Sequence, residues 1–225
     1  MDFRLSIFVE VFPLLLGGAW VTLYITVVSI AIGIAGGLVL GVMRVSRFAF
    51  LRGVATSYTE LIRGTPLLMQ LIVLYYALPS VGINLPALAA GITGLAANSA
   101  AYVGEIFRAG IQSVERGQVE AARAVGLTHM QTMRYVILPQ AFRLVLPPLT
   151  NEFVTMLKDS SLVSTLAIAE LLRVGREVVA WKVNVFSPFA GVTLLYLGMT
   201  LPLTKLARYL EQRIDPERRV AGHLS

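Results

Sequence analysis

The chain has 225 residues, 56 % of them hydrophobic and 14 % charged, against about 45–50 % and about 25 % in soluble domains. With a mean hydropathy of +0.73, these values argue against a soluble globular enzyme and against a disordered chain. Nineteen Lys and Arg stand against 13 Asp and Glu, for a formal charge of +6. In an apolar chain such an excess reflects basic loops held on the cytosolic side of a bilayer, so no nucleic-acid partner is expected. The absence of Cys excludes disulfides and Cys-ligated zinc, and two His argue against a histidine-rich metal site.

Gaps between charges locate the helices. Val11 to Met43 is a run of 33 uncharged residues. About 20 apolar residues cross a bilayer as a helix, so this run holds a first span, 16–43, with turns to spare at Pro13 and Gly17-Gly18. The run is too long and continuous for a cleavable signal peptide. Another 41 uncharged residues separate Arg63 from Glu105, interrupted at 78–86 by a cluster of helix breakers. This predicts two spans, 54–78 and 86–110, joined by a short turn. Residues 138–160 are apolar but carry Arg143, Glu152, Lys158 and Asp159. Such a helix belongs inside a bundle or beside a water-filled path. The 22 uncharged residues between Lys182 and Lys205 supply a fifth span, 188–210. The expectation is an all-α membrane protein in which 1–225 form one transmembrane domain. With the N-terminus outside and the C-terminus inside, 13 basic residues fall in cytosolic segments and 5 outside, as the positive-inside rule favours.

The segment 113–137, between the third and fourth spans, does not read as a plain loop. Residues 118–125 are good helix formers. Gly126 then suits a left-handed helix stop, and Thr128 with Gln131 suits a capping box. Pro139 suits the first turn of the next helix. Taken alone, this helix–Gly–helix element also reads as an interfacial turn tying two spans together.

Glu120-Ala121-Ala122, Gly126 and the run Ile137-Leu138-Pro139 resemble the EAA signature of permease subunits of ABC importers. The runs RGTPLLMQ at 63–70, NSAAYVGEIFRAGI at 98–111 and KDSSL at 158–162 resemble motifs of that family's polar amino acid branch. The resemblance spans 17–213. It implies a type I importer permease of the bacterial cytoplasmic (inner) membrane, working as a homo- or heterodimer. It further implies a coupling helix, with Glu120, Ala121, Ala122, Gly126 and Leu127 meeting separate ATP-binding cassette subunits. Delivery of a polar amino acid by an external solute-binding protein is implied as well.

No Gly-Lys dipeptide occurs, so a GxxxxGK[ST] phosphate loop is absent. ATP and Mg are expected on the partner subunit, with no cofactor on this chain, which is a transport subunit rather than an enzyme. The intramembrane polar residues are the candidate substrate site: Asn98 and Tyr102 one turn apart, then Glu152, Lys158 and Asp159 as an acid–base–acid set for the two ends of a zwitterion. The alternative for the acids is an internal ion pair with Arg63. For Asn98 the alternative is hydrogen bonding between helices. Gly33, Gly37 and Gly41 should let another helix approach closely. Residues 162–181 should form a helix on the outer surface, a platform for the binding protein or a cover for the bundle. Tail residues Arg213, Arg218 and Arg219 should meet anionic lipid headgroups. Two other classes compete. A secondary transporter would show internal repeats, and none is found. An intramembrane hydrolase would have to use Lys158 with Ser160 or Ser161.

Overall fold

The computed structural model describes residues 3–214, which are helical throughout apart from short connections. The tail arginines Arg218 and Arg219 lie outside the described residues. Helix α1 runs Leu5–Arg44, about 60 Å at 1.5 Å per residue. It continues through Pro13 and Gly17-Gly18, where turns were expected. Gly18 serves packing instead, because a Cβ there would lie 2.9 Å from the Leu171 Cα.

The main contact of α1 is with α4, Ala87–Gln112. Cβ atoms built at Gly33, Gly37 and Gly41 would meet Ser99 at 2.6 Å, Val103 at 2.5 Å and Phe107 at 2.7 Å. The expected small-residue stripe therefore seats α1 backbone directly against α4. Both partners advance by four residues per step, so the two helices run parallel.

A parallel pair requires the chain to return between them, and the return is bent. Helices α2, Ala49–Arg63, and α3, Leu67–Ile72, meet at an elbow of 100°. This corrects the single helix expected over 54–78. Pro66 has an extended backbone and no N–H, and it disfavours the helical region for Thr65. A π-turn, Val73–Ala77, and a 3₁₀ turn, Leu78–Val81, follow α3. The chain then reaches Gly82 at φ +86°, within the breaker cluster read from the sequence.

Beyond α4 come α5, Arg116–Ala124, and α6, His129–Thr132. A π-turn at Met133–Ile137 leads into α7, Leu138–Asp159. The expected surface helix over 162–181 is instead a 3₁₀ turn, Ser160–Leu166, and a separate helix α8, Leu171–Lys182. The break falls at Ala167, φ +63°. The fully buried Glu170 carboxylate caps α8, accepting from the N–H groups of Leu172 and Arg173 at 2.9 and 2.7 Å. Leu171 and Val178 are buried with Val11, Leu15 and Val192, so α8 covers the bundle between α1 and α9, Phe186–Ile214.

Among the described residues, α1 and α9 are each long and apolar enough to cross a membrane, and α2 with α3 qualify together as a bent pair. Helices α4 and α7 do not pass that test. They carry Asn98, Glu152 and Asp159, which line the site.

Candidate functional site

A cavity of about 390 Å³ opens between the elbow, α4 and α7, within the ~300–1,000 Å³ of small-molecule sites. Helix α7 contributes Glu152, Thr155 and Asp159, at i, i+3 and i+7. With 3.6 residues per turn these share one face. Asn98 and Tyr102 come from α4 at i and i+4, and Arg63 and Thr65 come from the elbow. Four of the five expected substrate residues thus meet in one place.

Lys158 does not meet them. It lines a separate cavity with Ser161, Thr193 and Tyr196, toward α9. One step along a helix turns the side chain by about 100°, so neighbours in sequence face different spaces. The base that lines the cavity with the two acids is Arg63, from another helix. Ser160, the other serine weighed beside Lys158, is buried, and its hydroxyl donates to the Leu157 carbonyl at 2.7 Å.

Asn98 and Glu152 are buried, at 6 % and 9 % exposure. Asn98 Nδ2 donates to Gln70 Oε1 at 3.2 Å, so part of its capacity does tie helices together, as the alternative reading held. The Arg63 guanidinium stands 5.1 Å from the centre of the Tyr102 ring, close enough for cation–π attraction. Its ion-pair partner is Glu105, at 4.0 Å, in place of the Glu152 or Asp159 weighed from the sequence. Sequence reasoning passed over Gln70, Thr155 and Glu105. The i+3 step from Glu152 was the available signal for Thr155, whereas Gln70 and Glu105 stand inside the runs 63–70 and 98–111, which mark the segments without singling them out.

The second expected site, 113–137, folds as read. Gly126 has φ +85°. Gln131 Oε1 accepts from the Thr128 N–H at 2.8 Å, and Thr128 Oγ1 accepts from the Gln131 N–H at 3.3 Å. Ala122 is buried, while Glu120, Ala121 and Gly126 are exposed and Leu127 is half-buried. Val125 and Met130 stand out at 78 % and 73 % exposure. Beneath them a small core joins Val119 of α5 and Met133 to Ile111 and Val114 at the end of α4 and to Ile137 and Ala141 at the start of α7. The element is thus seated on the two helices that carry the cavity's buried side chains. Among the described residues no group of three His, Cys, Asp or Glu is placed to hold a metal ion.

Comparison with known proteins agrees with this architecture. The family model for binding-protein-dependent transport system inner membrane components matches residues 33–216. The probable glutamine ABC transporter permease protein GlnM of Bacillus subtilis is 38 % identical over 212 residues, covering 94 % of this chain and 98 % of the relative. A chain from the crystal structure of an amino acid ABC transporter with histidines superposes with a TM-score of 0.90. It shows 44 % identity over 95 % of this chain and 100 % of its own. The inward-facing MetNI methionine ABC transporter shares the fold, with a TM-score of 0.77 at 23 % identity over 92 % of this chain and 98 % of its own. The chain belongs to the family of inner membrane components of binding-protein-dependent transport systems.

Proposed function

We propose that this protein is the permease subunit of an ATP-driven importer that moves polar amino acids across the inner membrane of a bacterium by alternating access. The observation that carries the reading is the cavity, which Arg63 lines together with Glu152 and Asp159 in a space of amino-acid size. A zwitterion needs one cation for its carboxylate and one anion for its ammonium group. Buried intramembrane charges mark substrate paths by default, and Asn98, Tyr102, Thr65 and Thr155 add neutral hydrogen-bonding groups. Lys158 is left out of the binding set on the geometry above.

The five-span topology is supported by the parallel pairing of α1 with α4, which needs one return crossing between them, and its orientation, N-terminus out and C-terminus in, by the basic residues of the inner segments. Cassette subunits holding ATP and Mg would dock on the 113–137 element through Glu120, Ala121, Gly126, Leu127 and the exposed Val125 and Met130. Their movement would pass through the Val119–Val114–Ile137 core into α4 and α7 together, and so into both walls of the cavity. A second permease subunit completes the pore, and an external solute-binding protein delivers the amino acid.

The test is uptake into proteoliposomes by the chain co-purified with a cassette subunit and supplied with a solute-binding protein. Glu152→Ala should abolish ATP-dependent uptake while the complex still assembles. Unchanged uptake kinetics in that variant, or uptake driven by an ion gradient without ATP, would overturn the reading.

A further inference from the structure

Glu105 gathers three arginines from three helices: Arg44 at the end of α1, Arg63 at the end of α2, and Arg108 on α4 itself. The three are not held alike. Arg44 hydrogen-bonds Oε2, and Arg108 grips both oxygens, its Nε donating to Oε2 at 3.0 Å. Arg63 makes no hydrogen bond to the carboxylate, stands 4.0 Å away, and is the most exposed of the three at 40 %, against 15 % and 26 %. One anion shared by three cations leaves a net positive charge, and Arg63 is its loosely tethered member. Arg63 is also the one that reaches the cavity.

We infer that Arg63 is an exchangeable hook for a ligand carboxylate, and that Glu105 is the positioning residue that competes for it. An incoming α-carboxylate offers Arg63 a bidentate partner, which Glu105, already occupied by Arg44 and Arg108, does not. Taking Arg63 loosens the tie between α2 and α4, so occupancy of the cavity is felt at the elbow. The inference rests on the amino acid reading of the cavity and adds to it the residue that sets carboxylate recognition.

The test is equilibrium binding to the purified complex with its cassette subunit and without a solute-binding protein. The probes are L-glutamine, L-arginine and L-histidine, each beside its α-carboxamide. The complex should prefer acid over amide by about tenfold or more, the strength expected of a charge-assisted bidentate pair, and Arg63→Gln should erase that preference. Glu105→Gln should tighten the acid several-fold and leave the amide unchanged. Arg44→Gln removes one of the two donors on Glu105 Oε2 and leaves that oxygen more open to Arg63, so it should move the acid-over-amide ratio the opposite way. This second arm stands if Glu105→Gln does not fold. A general lesion would weaken acid and amide together, and that result, or an unmoved ratio in whichever variants fold, overturns the exchange. Glu152→Gln separates the two proposals. If it weakens both probes while the ratio ignores Glu105 and Arg44, the cavity stands and the exchange falls. If it weakens neither, the cavity reading itself falls.

Discussion

Gln70 holds the elbow and the cavity wall with one side chain. Its Oε1 accepts from Asn98 at 3.2 Å. Its Nε2 donates to the carbonyl of Ile62 at 2.8 Å and to the carbonyl and hydroxyl of Thr65 at 3.1 and 3.0 Å. A proline elbow strands backbone carbonyls that a continuous helix would satisfy. In a membrane such groups need a protein partner. Gln70→Leu should therefore raise the KM for uptake by about tenfold, equivalent to ~1.4 kcal/mol, with the complex still assembled. Gln70→Glu keeps the acceptor for Asn98 and removes the donors. If Gln70→Glu transported like the parent protein, the brace would have to run through Asn98 alone.

Asp159 and Lys158 should separate cleanly in function although they are adjacent. Asp159 lies in the cavity with Glu152, and Lys158 faces the α9 side. Asp159→Asn should weaken amino acid binding to the complex by about tenfold. Lys158→Ala should change it by less than about twofold, within the ordinary range of a substitution away from the site. Calorimetric or filter-binding titration decides between them. Equal losses in both variants would mean that charge at this end of α7, rather than side-chain direction, governs the ligand.

That contrast shows what the sequence made legible. Helix positions followed from charge gaps because charge is costly in a bilayer, and the ends of α7 at Leu138 and Asp159 match the expected 138–160 closely. The capping box and the Gly126 stop were readable because they are local. Grouping Lys158 with its two acidic neighbours failed, since proximity along a helix is not proximity around it. The elbow was signalled by Gly64-Thr65-Pro66, yet the long uncharged run concealed it. Glu105 and Gln70 act across 42 and 28 positions in sequence, on Arg63 and Asn98, and no single-chain pattern announces such pairs.

The close parallel seating of α1 on α4 should be intolerant of even a methyl group at its tightest point. At Gly37 an added Cβ would meet Val103 at 2.5 Å and the Gly104 nitrogen at 2.9 Å, whereas at Gly17 nothing lies within 4 Å. Gly37→Ala should cost about 1–3 kcal/mol through overpacking. Gly17→Ala, on the same helix, should be neutral or stabilising by about 0.5–1 kcal/mol, because glycine is the poorer helix former. Thermal unfolding of the two variants in detergent measures the difference. Equal midpoints would mean that α1 shifts along α4 freely enough to absorb the methyl group, and the tight seating would then be a dispensable contact.

On the 113–137 element, docking and folding should be separable by choice of residue. Val125 and Met130 are among the most exposed apolar side chains of the protein, and Ala122, three positions before Val125, is buried. Val125→Asp and Met130→Asp should leave thermal stability within about 0.5 kcal/mol, as surface changes do, yet lose co-purification with the cassette subunit. Ala122→Asp places an unpaired carboxylate beneath the element and should lower stability itself. Gly126→Ala is intermediate. Its φ of +85° costs an L residue roughly 1–2 kcal/mol, which should tilt α5 relative to α6 and reduce coupled ATP hydrolysis more than association. If Val125→Asp and Met130→Asp both retained full association and full uptake, the exposed apolar face would not be the docking surface, and the partner would have to contact Glu120 and Ala121 without it.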